Sequence, residues 1–327
     1  MFRGRFFLIF LLIFVSFLLV PFVTHNTFYI RIATEALMWI GLAITWDVLA
    51  GYTGYLNFGH GAFFGIGAYT TAILMSNIHM AFIPSALMGG VLAGVVALII
   101  GFPTLRLYGA YFAIATWALG RAIQQLALVM NITGGPDGMR LPVFLNPSFF
   151  FYTMLILVGG IFLLLWFFLE KAPFGLKLKA IREDESGAMA IGINPSWMKV
   201  RALILSAIPA GLIGGVYAYW ITYINPASVL GDIVTDQAVV MTLVGGLGTL
   251  IGPAIGAVLI YAFKTYFWAY LSQYQVLYLV ILGAAIAVIV VFFPDGLWGT
   301  ITSRQEGKKA LKKGLTLKRK DMKDSGE

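Results

Sequence analysis

Residues 170–201 read EKAPFGLKLKAIREDESGAMAIGINPSWMKVR, the longest polar stretch between two apolar segments of the chain. At its centre, four charged residues follow one another without interruption: Arg182, Glu183, Asp184 and Glu185. Each such charge costs about 2.5–3.5 kcal/mol at the centre of a bilayer, so four of them oppose insertion by about 10 kcal/mol or more. This stretch is therefore predicted to be a loop in water.

On both sides of this loop the chain is too apolar to fold as a water-soluble globule. Of its 327 residues, 60% are hydrophobic and only 11% are charged, and the mean hydropathy is +0.89. A soluble domain carries about 25% charged residues, because its surface must face water. The composition predicts an all-α, polytopic membrane protein.

Apolar stretches of about twenty residues, the length of a spanning helix, recur along the chain. They lie near residues 6–23, 30–50, 57–77, 81–102, 110–130, 148–169 and 200–221. The region from 231 to 293 has room for either two long helices or three shorter ones. Three would lie near 233–246, 251–271 and 276–293, with a turn at GGLGTLIGP.

The distribution of basic residues favours three helices in that last region. Arg3, Arg5, Arg106 and the loop at 170–201 all fall on the cytoplasmic side if the first six helices alternate, and a basic tail belongs there too. Two cytoplasmic termini require an even number of crossings. We therefore predict about ten transmembrane helices, with eight and a re-entrant segment as the alternative.

These boundaries give a transmembrane domain over residues 1–301, with a cytoplasmic loop at about 170–200, and a basic cytoplasmic tail over residues 302–327. The tail holds nine Lys or Arg against four Asp or Glu and has no aromatic residue. A basic end beside a spanning helix indicates anionic lipid. Binding to nucleic acid is disfavoured, because no ring is available for base stacking.

Chemistry-bearing motifs are missing from the sequence. There is no cysteine, no GxxxxGK[ST] phosphate loop and no HExxH metal motif, and the three histidines are far apart. We therefore expect a chain that is not an enzyme and that carries no cofactor or metal.

Glycine occurs inside the apolar runs at helical spacing. Close backbone approach drives helix association in lipid, so such glycines predict helix packing. The predicted packing positions are Gly61, Gly65, Gly211, Gly215, Gly248, Gly252 and Gly256.

The segment GYTGYLNFGHGAFFGIGAY, residues 51–69, is the densest in glycine and also carries Asn57 and His60. Such a start to a helix can unwind and expose backbone groups to a central cavity. It also suits a tight turn between two helices. Asn57 and His60 are candidate pathway residues under the first interpretation.

Arg121 lies near the middle of the predicted helix at 110–130, with Gln124 and Gln125 on the same face. An ionisable residue inside a membrane segment is a functional hypothesis by default. Arg121 and Gln125 are therefore candidate pathway residues, because a cation facing the pathway attracts a carboxylate. A structural ion pair of Arg121 with Asp47 or Glu35 explains the position equally well.

Within the polar loop, residues 180–191 are predicted to form one short helix. Acidic residues fall in its early turns, Gly192 is placed to cap its C-terminus, and Pro195 prevents its continuation. Small residues make this helix thin enough to dock into a cleft of another protein. An ordinary solvated loop helix is the alternative.

Four segments in order resemble the M-type permease subunits of branched-chain amino-acid ABC importers. They are GYTGYLNFGHGAFFGIGAYTTAIL, NITGGPDGM, GLKLKAIREDESGAMAIGIN and LVGGLGTLIGPAIGA, and the resemblance covers most of residues 30–295. Members often carry an acidic residue where this chain has Arg121 after Gly120.

The resemblance implies a transmembrane permease subunit of an ATP-driven importer. Its partners would be a second homologous permease, two cytoplasmic ATPase subunits that hydrolyse ATP, and an extracytoplasmic solute-binding protein. Localisation would be the cell (inner) membrane. Coupling to the ATPase would fall on the acidic loop segment, at Arg182, Glu183, Asp184, Glu185, Ala188, Ala190, Gly192, Ile193 and Asn194.

Three alternatives stay open at the level of sequence. Urea-importing relatives share these motifs, so the solute is either a branched-chain amino acid or urea or a related small amide. An ion-coupled secondary transporter would use an intramembrane carboxylate such as Asp47 or Asp236. A membrane anchor without transport activity is the third alternative.

Overall fold

The computed structural model describes residues 26–270, together with positions 15, 17–19, 21, 280, 283, 284 and 296–300. Apart from those isolated positions, the predicted first helix at 6–23, the last at 276–293 and the basic tail at 302–327 lie outside the described residues.

The described chain is almost entirely helical. Its helices are α1 (Thr27–Thr53), α2 (His60–Ser76), α3 (Phe82–Thr104), α4 (Ala110–Val129), α5 (Pro147–Trp166), α6 (Pro173–Glu183), α7 (Glu185–Ala190), α8 (Pro195–Ile221), α9 (Pro226–Val229), α10 (Asp232–Gly245) and α11 (Ile251–Tyr270). A π-helical turn, Phe167–Lys171, extends α5, and two 3₁₀ turns lie at Asn131–Thr133 and Gly135–Asp137.

Asn-Pro dipeptides start three of these helices. Asn146, Asn194 and Asn225 each accept a hydrogen bond from the backbone N–H three residues later, at 2.8–3.1 Å. The proline that follows each one occupies the first helical position, where a missing N–H costs nothing and the fixed φ suits the helix. The starts of α5, α8 and α9 are thus determined by local sequence.

Among the described residues, six helices are long and apolar enough to cross a membrane, which confirms the polytopic all-α class. They are α1, α3, α4, α5 with its π turn, α8, and the stretch from α9 to α10. α2, with 17 residues, and α11 occupy two further predicted positions. A break follows α10 at Gly246, within the expected GGLGTLIGP turn. The count of about ten stays a prediction.

α1 and α8 lie at the centre of the bundle. α8 packs along α3, α2 and α1, while α1 also contacts α5, α10 and α11. Nearly all of α1 from Ala36 onward is buried, in keeping with a helix that is apolar on all sides. α4 is the least buried of the six spans, so most of its surface faces outward.

Glycine lets these helices approach closely. Gly61 and Gly65 of α2 face Thr235 and Leu230, and any Cβ added at Gly65 would overlap the leucine side chain. Gly211 and Gly215 of α8 face α3 and the α2 hydroxyl of Thr71, respectively. In α11, Gly252 and Gly256 lie against backbone carbonyls of α10.

One predicted packing position was wrong. Gly248 does not continue a helical stripe with Gly252 and Gly256, because α11 begins only at Ile251. Gly248 instead lies in the turn after α10 with φ +74°, a left-handed conformation that glycine adopts without steric cost.

The two ends of the bundle differ. The loop end carries residues 170–201. The opposite end carries strands β1 (Met139–Arg140) and β2 (Tyr223–Ile224), which pair antiparallel, with Met139 opposite Ile224. The hydroxyl of Tyr223 donates to the backbone carbonyl of Asp137 at 2.9 Å. This pairing fixes the NITGGPDGM segment to the chain that leaves α8.

Candidate functional site

The acidic loop segment forms two helices, so the single helix predicted over residues 180–191 was wrong. α6 ends at Glu183, and Asp184 has extended backbone (φ −155°, ψ 109°). The Asp184 carboxylate caps α7 by accepting the N–H of Ser186 at 2.9 Å. Asp favours this capping position over a helix interior, which explains the break.

The C-terminal cap at Gly192 formed as predicted. Gly192 has φ +83°, its N–H donates to Met189 O, and the N–H of Ile193 donates to Ala188 O, both at 3.0 Å. This is the Schellman arrangement, in which glycine supplies the left-handed residue. α7 is therefore a rigid helical turn held between two caps.

A buried lysine connects α7 to the rest of the bundle. The ammonium of Lys199 in α8 is 2.8 Å from Glu185 Oε1 and 2.9 Å from the Tyr55 hydroxyl, and Tyr55 donates to Glu185 Oε2 at 2.7 Å. The Lys199 side chain is only 1% exposed. Burial, reinforced by the bond to Glu185, raises the pKa of Tyr55, which keeps it a donor.

Arg182 makes a contact with the bundle, although the residue itself stays exposed. Its guanidinium donates to the carbonyl of Gly51 at 2.5 Å, and the backbone N–H of Gly248 donates to Asp47 Oδ1 at 2.9 Å. The predicted coupling segment is thus bound to the end of α1, and α1 is bound through Asp47 to the turn before α11. Arg182 and Glu185, two of the predicted coupling residues, therefore also make contacts within the bundle.

The outward surface of this segment is apolar as well as acidic. Most of the predicted coupling residues are exposed, namely Arg182, Glu183, Asp184, Ala190, Gly192 and Asn194. Ala188 is buried, and Glu185 and Ile193 are half-buried. Three exposed apolar side chains were missed: Met189 (51%), Ile191 (74%) and Trp197 (45%). Their signal in the sequence was the presence of large apolar residues inside a loop that faces water.

A second feature is the unwound segment, residues 54–59, between α1 and α2. Near its start Tyr55 lies beside Glu185, and α2 follows it at His60, whose Nε2 is 3.2 Å from Thr45 Oγ1 in α1. Thr45 lies eight residues before the end of α1, a rise of about 12 Å. The unwound segment therefore runs from the loop end into the depth of the bundle, which is compatible with both interpretations of its glycines, an unwound helix start and a tight turn between two helices.

The unwound segment packs against the middle of α4. The N–H of Phe58 donates to Thr116 Oγ1 at 3.2 Å, and the carbonyl of Asn57 accepts from Trp46 at 2.7 Å. Asn57 is buried, and its Nδ2 has no hydrogen-bond partner among the described residues. It lines a small cavity together with Thr116 and Gly120.

His60 lies in the core. It is 1% exposed and bridges three helices through Thr45 of α1 and Ser206 of α8, whose Oγ is 3.4 Å from Nδ1. This geometry fits a role in packing, whereas the sequence suggested the pathway.

Arg121 forms an ion pair, but with neither predicted partner. Its guanidinium pairs with Asp232 in the first turn of α10 and donates to Gln124 Oε1 at 2.8 Å. The expected pairing with Asp47 or Glu35 was wrong, because both lie on α1 and the α4 face turns toward α9 and α10. Gln125 is exposed, and Gln124 donates to the carbonyl of Pro226 at 3.3 Å.

The comparisons with known proteins bear on the same helices. A family model described as the branched-chain amino acid transport system permease component matches residues 28–290. The chain belongs to this permease family. The match covers every described helix between α1 and α11, including the loop segment and the unwound segment.

Curated members of the permease family match over most of this chain. The high-affinity branched-chain amino acid transport system permease protein LivM of Salmonella typhimurium is 28% identical over 301 residues, covering 82% of this chain and 69% of the relative. LivM of Escherichia coli is 29% identical over the same shares. A probable branched-chain amino acid transport permease protein LivH of Methanocaldococcus jannaschii is 24% identical, covering 78% and 83%. No solved structure matches the permease.

Proposed function

We propose that this permease is one half of the translocation pathway of an ATP-driven importer for branched-chain amino acids. In this proposal a second homologous permease supplies the other half, two ATPase subunits hydrolyse ATP, and a solute-binding protein delivers the substrate. The termini and the loop at 170–200 lie in the cytoplasm. Family membership supports the transport assignment, and the names of the LivM relatives suggest the solute.

The observation that carries the coupling proposal is the outward face of the loop segment. Met189, Ile191 and Trp197 expose apolar surface there, whereas a loop that faces only water is expected to be polar. Met189 and Ile191 are held by the capped α7 and Trp197 by the first turn of α8, so the apolar face is a preformed ridge. Such a ridge suits a cleft on an ATPase subunit, because burying it removes apolar area from water.

The contacts behind this ridge suggest how force reaches the membrane. α7 is joined to α8 through Lys199 and to the unwound segment through Tyr55, while α6 is joined to α1 through Arg182. When the ATPase dimer closes on ATP, a pull on α7 therefore moves α8 and the unwound segment together. The glycine contacts between the helices let them rock with little steric resistance.

The experiment is co-purification of the permease with its ATPase subunits from membranes. Ile191→Asp should reduce the amount of bound ATPase severalfold or more, because it places a charge in an apolar contact. The matched control is Val143→Asp, at an apolar residue of similar exposure (69% against 74%) near the opposite end. Undiminished ATPase binding by Ile191→Asp, with both variants eluting as folded proteins, would refute docking at this ridge.

An ion-coupled secondary transporter is the second candidate, and it needs an intramembrane carboxylate free to bind an ion. Asp47 is fully buried and accepts the Gly248 N–H, which favours a structural role for it. Uptake driven by an ion gradient in liposomes containing this chain alone would instead support the secondary transporter. A urea importer predicts competition by urea for ATP-driven uptake.

A further inference from the structure

Three charged side chains lie together on the surface of the permease, near the middle of the length of α4: Arg121 on α4, and Asp232 and Asp236 on α10. We call them the charged cluster. Arg121 lies eleven residues from the start of α4, which corresponds to a depth of about 17 Å in a hydrocarbon core of about 30 Å. Asp232 pairs with Arg121, and Asp236 follows one turn later on the same side of α10.

The charged cluster is open on one side. The side chains of Arg121 and Asp232 are 42% and 30% exposed, and Asp236 is also exposed. Charges at this depth cost several kilocalories per mole against lipid, so intramembrane ionisable residues line a cavity or face protein. The open side of the cluster therefore faces the water-filled pathway or another chain in the assembled importer.

The charged cluster has both hydrogen-bond donors and a carboxylate that are not used within the described residues. The guanidinium uses two of its nitrogens on Gln124 and Asp232, which leaves further N–H donors. The carboxylate of Asp236 makes no hydrogen bond to any described residue. Two carboxylates against one guanidinium leave a net charge of −1, so one more positive group is needed for neutrality, together with an acceptor for the spare donors.

Apolar side chains flank the charges. Trp117 lies one turn before Arg121 on the same face of α4 and is 46% exposed, while Ile233, next to Asp232, is 67% exposed. Gln237, one residue after Asp236, has an Oε1 atom without a hydrogen-bond partner among the described residues. An aliphatic side chain would therefore find an apolar surface directly beside the charged groups.

We propose that the charged cluster binds the head group of a zwitterionic aliphatic α-amino acid in the pathway. The guanidinium of Arg121 receives the substrate carboxylate, and the carboxylates of Asp236 and Asp232 receive its ammonium. Trp117 and Ile233 contact the aliphatic side chain. This inference rests on the proposed function and deepens it, because urea offers no charge to either half of the cluster.

The test uses photo-leucine, a diazirine analogue of leucine with both charged groups intact. It is added to the complete importer, with partner permease and ATPases, in lipid nanodiscs, and crosslinked peptides are identified by mass spectrometry. The expected labels fall on the α4 and α10 peptides around Trp117 and Ile233. Excess leucine should abolish them, whereas urea and 3-methylbutylamine, which lacks the carboxylate, should not.

Asp236→Asn should lower this labelling tenfold or more and leave the Arg121–Asp232 pair in place. The matched control is Asp137→Asn, the same substitution at an exposed carboxylate near β1, which should label like the wild type. Labels confined to other helices, or labelling unchanged in Asp236→Asn, would overturn the inference. A third result would also overturn it: the Asp236→Asn variant loses the second permease, and those complexes that still assemble are labelled normally. The cluster would then be a contact between subunits.

These outcomes separate the inference from the proposed function. If the wild-type importer shows ATP-dependent leucine uptake but no labelling of α4 and α10, only the charged-cluster site fails. If the ATPases do not co-purify with the chain and leucine uptake does not depend on ATP, the proposed function itself fails.

Discussion

The ammonium of Lys199 lies 2.8 Å from a carboxylate oxygen of Glu185, and this contact joins α8 to the loop helix α7. The Tyr55 hydroxyl closes the triangle and brings in the unwound segment. A cation that is 1% exposed requires such partners, because removing a charge from water is costly unless it is paired. The loop is thus built into the bundle, whereas its apolar ridge faces outward.

Breaking this pair on one side should destabilise the protein. In Lys199→Met the Glu185 carboxylate loses its buried counter-ion, for which the expected cost is about 3 kcal/mol. The variant should show a lower Tm in detergent than the wild type. The double variant Lys199→Met with Glu185→Gln should recover part of that loss, because no unpaired charge remains. Equal Tm values for Lys199→Met and the wild type would contradict a structural role for the pair.

The close contact of α2 and α8 should not tolerate a single methyl group. A Cβ on Gly67 would overlap the Gly211 backbone, which cannot move away as a flexible side chain can. Gly67→Ala should therefore lower the Tm and the yield of folded permease. Gly160→Ala in α5 is the control, because a Cβ there meets no described atom within 4 Å. It should leave stability unchanged or raise it by about 0.5–1 kcal/mol.

Asp47 should act through its hydrogen bond alone. Asn at this position keeps an oxygen that accepts the Gly248 N–H, so Asp47→Asn should retain ATP-dependent uptake. Asp47→Ala removes the acceptor and should destabilise the turn before α11 by about 1–3 kcal/mol. The measurements are uptake in proteoliposomes and Tm. Loss of uptake in a folded Asp47→Asn variant would favour the ion-coupled alternative instead.

The orientation of the loop can be measured directly, because the sequence contains no cysteine. Ile191→Cys supplies one thiol at a 74% exposed position. A membrane-impermeant maleimide should label it in inside-out vesicles but not in intact cells, and bound ATPase should slow the reaction. Labelling in intact cells would place the loop outside and reverse the proposed topology.

Local sequence signals predicted several parts of the structure. The glycines around Asn57 indicated a non-helical connection between α1 and α2. The sequence GGLGTLIGP predicted the break between α10 and α11, and Gly192 predicted the C-terminal cap of α7. Each of these rests on a few neighbouring residues with a special backbone preference. The break between α6 and α7 at Asp184 was not predicted. Asp is favourable in the first turn of a helix and also at the N-cap that starts a new one, so the sequence does not distinguish the two.

The partners of the charged side chains were not predicted, for a different reason. Arg121 with Asp232, and Lys199 with Glu185 and Tyr55, join residues that are distant in sequence or lie on different helices. Periodicity places a side chain on a helix face but gives no information on which helix that face meets. Sequence reasoning therefore named Arg121 as significant and assigned it the wrong partners.

By itself, the sequence determined the solvent of this protein: the shortage of charge required lipid around most of the chain, and the cost of burying Arg182–Glu185 required water around that loop. Both follow from transfer free energies that each residue carries regardless of the fold. Only the tertiary structure decided which charges turn inward and which surface the loop presents, because those outcomes depend on distances between helices that packing sets.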